Sequence, residues 1–226
     1  MGYNIGLGKT TPYLALGGKI HPTEIDEVKQ FTYLKLSGSD SAIVNACALG
    51  SVTSATGTLT LAYTDYPRNL MVSFKETGGT VAKATATVTG KDQFGKVVSE
   101  VYACVSLGTT SVAGTKIFDQ ITAVSAVVGS FGTGAIDLRV GYPIGAGSAR
   151  LGLFTKISKA ADVRKVTVID NAVVIPGTVT VDTTNHAIKL GGAIVNAQDD
   201  VVVWVKPNYR GNDDSQVYAG TSEFVT

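Results

Sequence analysis

Between Tyr66 and Glu100 the chain reads YPRNLMVSFKETGGTVAKATATVTGKDQFGKVVSE, three runs in which apolar and polar residues alternate. A period of two places successive side chains on opposite faces of an extended strand, whereas a helix needs a period near 3.6. Leu70, Val72 and Phe74 stand against Asn69, Ser73 and Lys75, and Ala82, Ala84, Ala86 and Val88 against Lys83, Thr85, Thr87 and Thr89. In the third run Val97, Val101, Ala103, Val105 and Leu107 share one face. The separating segments, Thr77-Gly78-Gly79 and Lys91-Asp92-Gln93-Phe94-Gly95, are rich in residues that turn easily. The spacing therefore predicts an antiparallel meander over Leu70 to Leu107.

Short strand candidates recur on either side at Phe31–Leu36, Thr58–Tyr63, Ile117–Val128, Ile136–Tyr142, Val163–Ile169, Gly177–Asp182, Ala187–Leu190 and Val201–Val205. Asp65-Tyr66-Pro67 is expected to break the pairing, and the glycines of Gly141–Gly147 to form a hairpin. With 226 residues, 44% hydrophobic and 16% charged, the chain has enough apolar material for one large β unit. The expected fold is all-β, an antiparallel β-sandwich of jelly-roll or Ig-like type with an extended N-terminal arm. Its boundaries are an arm over 1–30, a body over 31–207 with a protruding hairpin near 141–150, and a tail over 208–226. Val201–Val205 is apolar on both faces, as in a central strand covered on both sides or one at a subunit contact. Thr23 followed by Asp26 offers the start of a short helix over Glu24–Gln30, with a turn as the alternative.

A formal net charge of +1 gives no broad attraction to phosphate, so direct nucleic-acid binding is not expected. No apolar run reaches the length of a bilayer span, and the first residues lack a basic leader followed by an apolar core, so no membrane partner is expected. Cys47 and Cys104 are expected as free thiols, since a core of this size needs no staples.

The groups that carry chemistry do not form a consistent set. Gly6-Leu7-Gly8-Lys9-Thr10 ends like a phosphate-binding loop, but Tyr3 takes the first glycine position and Pro12 interrupts any following helix. His21 and His186 are the two histidines, expected in the arm and in a solvated turn, and neither has the neighbours of a zinc site or a serine triad. Asp199-Asp200 and Asp213-Asp214 lack the spacing of a calcium loop and read as exposed turn carboxylates. Tyr142, Phe154, Trp204 and Tyr209 are expected to pack, the alternative being a carbohydrate-binding face. No catalytic residue, cofactor or metal is assigned.

The first 30 residues have the most mechanistic content. Tyr3, Ile5, Leu7, Tyr13 and Leu14 are separated by glycines and polar residues, too few apolar groups to order an extended arm by side-chain burial alone. Those five are the expected interface residues, ordered when a neighbour adds backbone hydrogen bonds at a sheet edge. The alternative is a strand docked on its own body.

Four segments carry a family resemblance: Pro67-Arg68-Asn69-Leu70 leading into a strand, the Val88–Gly95 hairpin VTGKDQFG, Gly108–Phe118, and Arg150-Leu151-Gly152-Leu153-Phe154, where Phe154 replaces a proline. Over roughly Tyr66 to Pro207 the chain resembles β-rich virion proteins of tailed bacteriophages, of the head decoration or cement type. The resemblance implies a structural protein on the head surface, assembled in the host cytoplasm, that binds between major capsid protein subunits and stabilises the head. It implies partners in the major capsid protein and in further copies of itself, such as a trimer. A tail-tube, collar or fibre-associated protein is the alternative within the virion, and an adhesin module the alternative outside it.

Overall fold

The structure, a computed structural model, describes residues 28–36, 38–48, 54–57, 62–77, 81–104, 110–131, 135–143, 147–170, 173–176, 178–192 and 199–206. In chain order the strands are β1 (Lys29–Leu36), β2 (Ser39–Ala48), β3 (Ser54–Gly57), β4 (Ala62–Arg68), β5 (Met71–Thr77), β6 (Val81–Lys91), β7 (Val97–Cys104) and β8 (Thr110–Ala113). They continue with β9 (Phe118–Phe131), β10 (Ala135–Tyr142), β11 (Arg150–Gly152), β12 (Val163–Asp170), β13 (Val173–Pro176), β14 (Val179–Asp182), β15 (Ala187–Leu190) and β16 (Asp199–Val205). A single 3₁₀ turn, Ala160–Asp162, is the one helical element among the described residues. The chain is all-β, and every pairing among the described strands is antiparallel.

One eight-stranded sheet, in the order β14-β15-β11-β4-β9-β6-β7 with β3 also on β9, backs two four-stranded sheets, β2-β10-β5-β8 and β1-β16-β12-β13. The 14-residue β9 carries β4 along its first part and β3 along its second. Two cores result. The first joins Leu70, Val72, Phe74, Leu138 and Val140 to Ala84, Ala86, Val88, Tyr102, Phe118 and Ile121 of the long sheet. The second joins Tyr33, Leu36, Val166, Val201, Val203 and Val205 to Leu151, Ile188 and Leu190.

Several local expectations hold. Ala84, Ala86 and Val88 are buried while Thr85 is exposed, as a strand covered on one face requires. Leu70, Val72 and Phe74 are also buried, but so are Asn69 and Ser73, because β5 lies between β10 and β8 with polar contacts behind it. Cys104 is buried in the first core.

The expected three-stranded meander is corrected. β6 and β7 form a hairpin, but β5 belongs to the opposite sheet and pairs with β10 and β8. Their apolar faces are the two walls of one core, so the chain crosses between sheets after Thr77. Val97, Val101 and Ala103 do share a face, but it is the exposed one; Tyr102 and Cys104 are buried instead. Asp65-Tyr66-Pro67 does not end β4, which runs on to Arg68 while its ladder with β9 slips between Tyr63 and Arg68. Gly141–Gly147 does not close a hairpin: β10 stays in the first small sheet, whereas β11 pairs with β4 and β15. Lys29 and Gln30 open β1 rather than ending a helix, so the body begins before residue 31. β16 is central, between β1 and β12, with Val201, Val203 and Val205 buried and Val202 and Trp204 half-buried on the other face. Asp199 and Asp200 lie in β16, not in a turn, and Asp200 accepts the backbone N–H of Lys35 at 2.7 Å. That residue has φ 52° and needs the support.

Candidate functional site

Two of the buried polar side chains, Arg68 and Asn69, lie between the end of β4 and the start of β5, beside Leu70 of the first core. Asn69 is fully buried. Its Nδ2 donates to the carbonyls of Gly114 (2.7 Å) and Ser148 (2.9 Å), and its Oδ1 accepts from the Arg150 N–H (2.8 Å). The Asn69 N–H donates to the Arg150 carbonyl at 3.2 Å, and the Gly114 N–H to the Leu70 carbonyl at 2.8 Å. One amide thus satisfies backbone groups from two distant loops, as buried polar groups require.

Arg68, 2% exposed, donates to Asp65 Oδ2 at 2.8 Å, and its guanidinium carbon lies 3.6 Å from the centroid of the Tyr142 ring. Burial pulls the guanidinium below its ordinary value while Asp65 opposes the shift. Tyr142 Oη in turn accepts the Asp65 N–H at 3.1 Å, and burial raises this phenol. Charge, ring and carboxylate close on one another, so Arg68 is a stacked and paired structural cation.

Gly152 brings four separate segments of the chain together. A Cβ there would meet Ile117 Cγ2 at 2.6 Å, Pro67 Cβ at 3.0 Å and Gln93 Cδ at 3.2 Å, one atom from each of the other three segments. The Gly152 carbonyl accepts from Tyr33 Oη at 2.7 Å, which brings β1 into the same junction. Gln93, in the β6–β7 turn, donates to the Asn185 carbonyl at 3.1 Å. Beyond it, Arg150 donates to Asp182 Oδ2 at 2.7 Å. Asp182 also takes the Asn185 side chain and the Thr184 and Asn185 N–H groups; desolvation raises its carboxyl, but these bonds and Arg150 outweigh it and hold it low.

His186 lies in the turn expected for it, between β14 and β15, but is half-buried rather than solvated. It has φ 48°, its ring stands edge-on to Phe94 at 5.5 Å, and its Nδ1 lies 3.3 Å from the Ile157 N–H and 3.2 Å from the Ile157 carbonyl. Burial lowers its pKa, with the Ile157 carbonyl opposing and Lys156 adding to the shift.

Among the described residues no group of three or more His, Cys, Asp or Glu side chains is placed to hold a metal. Of the four aromatic residues weighed for a carbohydrate face, Tyr142 is buried, Trp204 is half-buried with Lys165 Nζ 5.1 Å from its ring, and Phe154 is exposed and leans on Phe31. Tyr209, His21, Asp213, Asp214 and the expected interface residues Tyr3, Ile5, Leu7, Tyr13 and Leu14 lie outside the described residues.

The outer face of the β9-β6-β7 part of the long sheet is the surface that sequence patterning did not single out. Three of its cross-strand rows, Val127-Thr85-Ala103, Ser125-Thr87-Val101 and Ala123-Thr89-Ser99, hold no charged residue, and the next sets Val97 beside Lys91. Val97, Val101 and Val127 are 68%, 64% and 51% exposed. The signal was present as the second apolar set of β7, but a strand apolar on both faces does not declare which face is outside. No protein-family model matches the chain, and no curated protein matches it.

Proposed function

We propose that this chain is a structural virion protein, a head decoration or cement protein that binds between major capsid protein subunits and stabilises the head of a tailed phage. The observation that carries the reading is the convergence of the four resembling segments on Asn69 and Gly152. Residues that bear the resemblance serve there as packing and hydrogen-bonding groups that set the relation of two cores. The outer face of β9, β6 and β7 supports the same reading, because its three uncharged rows with exposed Val101 and Val127 suit contact with other protein surfaces, Lys91 beside Val97 marking the charged margin.

The mechanism is linkage. A protein that binds the assembled lattice and not the dissociated coat subunits stabilises the lattice by RT ln(1 + [L]/Kd), about 2.7 kcal/mol per site at a hundredfold excess over Kd. No bond is made or broken.

The test is co-sedimentation of purified protein with expanded heads that lack it, followed by heating. Saturable binding and a higher temperature of head disruption are expected. Absence of binding to heads, with rings or tubes formed by the protein alone under the electron microscope, would replace this reading with the tail-associated one.

A further inference from the structure

β7 ends the long sheet. It pairs with β6 on one side and with no strand on the other among the described residues. In an antiparallel pair, residues alternate between those bonded to the partner and those whose N–H and C=O point away. Lys116 Nζ donates to the Ser99 carbonyl from beyond the sheet, which fixes the odd-numbered residues of β7 as the outward-pointing set. The open backbone groups therefore belong to Val97, Val101 and Ala103, whose side chains are also the exposed apolar ones. Around Ser99 the edge is guarded: Glu100 accepts the Thr115 and Lys116 N–H groups, holding the 114–116 loop against β7. β8 approaches β7 but pairs with β5, and among the described residues no backbone bond from outside the sheet reaches Val101 or Ala103. An unguarded edge with apolar side chains is a template for another strand.

We propose that the β7 edge at Val101–Ala103 accepts an extended segment from the N-terminal stretch of a second copy of this chain, Tyr3–Leu7, as an added antiparallel strand. Tyr3, Ile5 and Leu7 alternate with Asn4 and Gly6, so one face of the added strand is apolar and continues the Val101 and Ala103 rows of the neutral face. The other side carries an amide and a glycine, which tolerate the sandwich margin. Residues 1–27 precede Val28, and at roughly 3.3 Å per extended residue they span up to about 90 Å, enough to reach a neighbouring subunit. The inference rests on the reading of the chain as an assembling subunit, not on which lattice it joins.

The full-length protein tests this by mixing two preparations, one carrying Leu7→Cys and the other Val101→Cys, both with Cys47→Ser and Cys104→Ser. Under oxidation a disulfide between the two preparations is expected, and Val101→Lys should abolish self-association while leaving the urea midpoint of the fold nearly unchanged. Lys116→Ala, which frees the Ser99 carbonyl, should strengthen self-association. No cross-link between the two preparations, with one forming inside single chains when Leu7→Cys and Val101→Cys are placed in the same chain, would overturn the exchange between copies. Exchange of the Val101 and Ala103 amides at unprotected rates in the associated protein would overturn the edge itself. Heads that fail to bind a protein still cross-linked in this way would count against the virion reading and leave the edge intact.

Discussion

Asn69 and Gly152 show how much depends on single positions. Replacing Asn69 with Ala strips partners from the Gly114 and Ser148 carbonyls and the Arg150 N–H at a fully buried site. Each orphaned group costs about 1–3 kcal/mol, so Asn69→Ala should lose at least about 3 kcal/mol in urea denaturation. Gly152→Ala inserts a methyl into a junction with no room for it and should cost about 1–3 kcal/mol. His186 gives a pH dependence with a definite sign. Its folded pKa is depressed, chiefly by burial, so the unfolded chain takes up the proton first as pH falls. Its contribution is complete above its ordinary value of about 6.5 and is lost as pH drops from there toward the lower folded value. In His186→Gln the denaturation midpoint should fall less between pH 7 and 5 than in the wild type.

At the scale of the strand, β6 and β7 contrast two kinds of legibility. β6 alternates Ala and Val with Thr and Lys, and its buried face is the one its pattern announces. β7 carries Val98, Tyr102 and Cys104 on one face and Val97, Val101 and Ala103 on the other, so its pattern defines a strand without choosing an inside. The choice falls to Tyr102, whose hydroxyl donates to Glu100 at 2.9 Å under the 114–116 loop. Val88→Lys should therefore destabilise the fold by more than about 4 kcal/mol, since it buries an unpaired charge, whereas Val97→Lys should leave thermal stability nearly unchanged. Short strands such as β8, β11 and β13 were not legible at all, because three or four residues hold too little periodicity to stand out.

Across the whole molecule, two cores share one sheet, and Arg68, Asn69 and Gly152 sit at their junction. Trp204, the single tryptophan, lies in β16 on the face opposite the second core, and its fluorescence reports the sheet that walls that core. In the wild type its urea transition should coincide with the loss of amide protection in β6 and β9, as one cooperative unit requires. In Asn69→Ala the two midpoints should separate, because the variant weakens the junction and leaves both cores packed. Coincident midpoints in the variant would show that the shared sheet, not the polar junction, couples the cores.

The amino-acid sequence alone determined that this chain is built of strands, where most long ones lie, and that its histidines and carboxylates make no recognisable reactive cluster in sequence. It also marked the four segments that meet at Gly152, though not that they meet. Tertiary structure decided that β5 leaves β6 for another sheet, that one sheet serves two cores, and that β7 turns its valines outward. The physical reason is that a period of two specifies the faces of a strand but not its neighbours. Partners are chosen by long-range packing and by buried groups such as Asn69 that can be satisfied in only one arrangement.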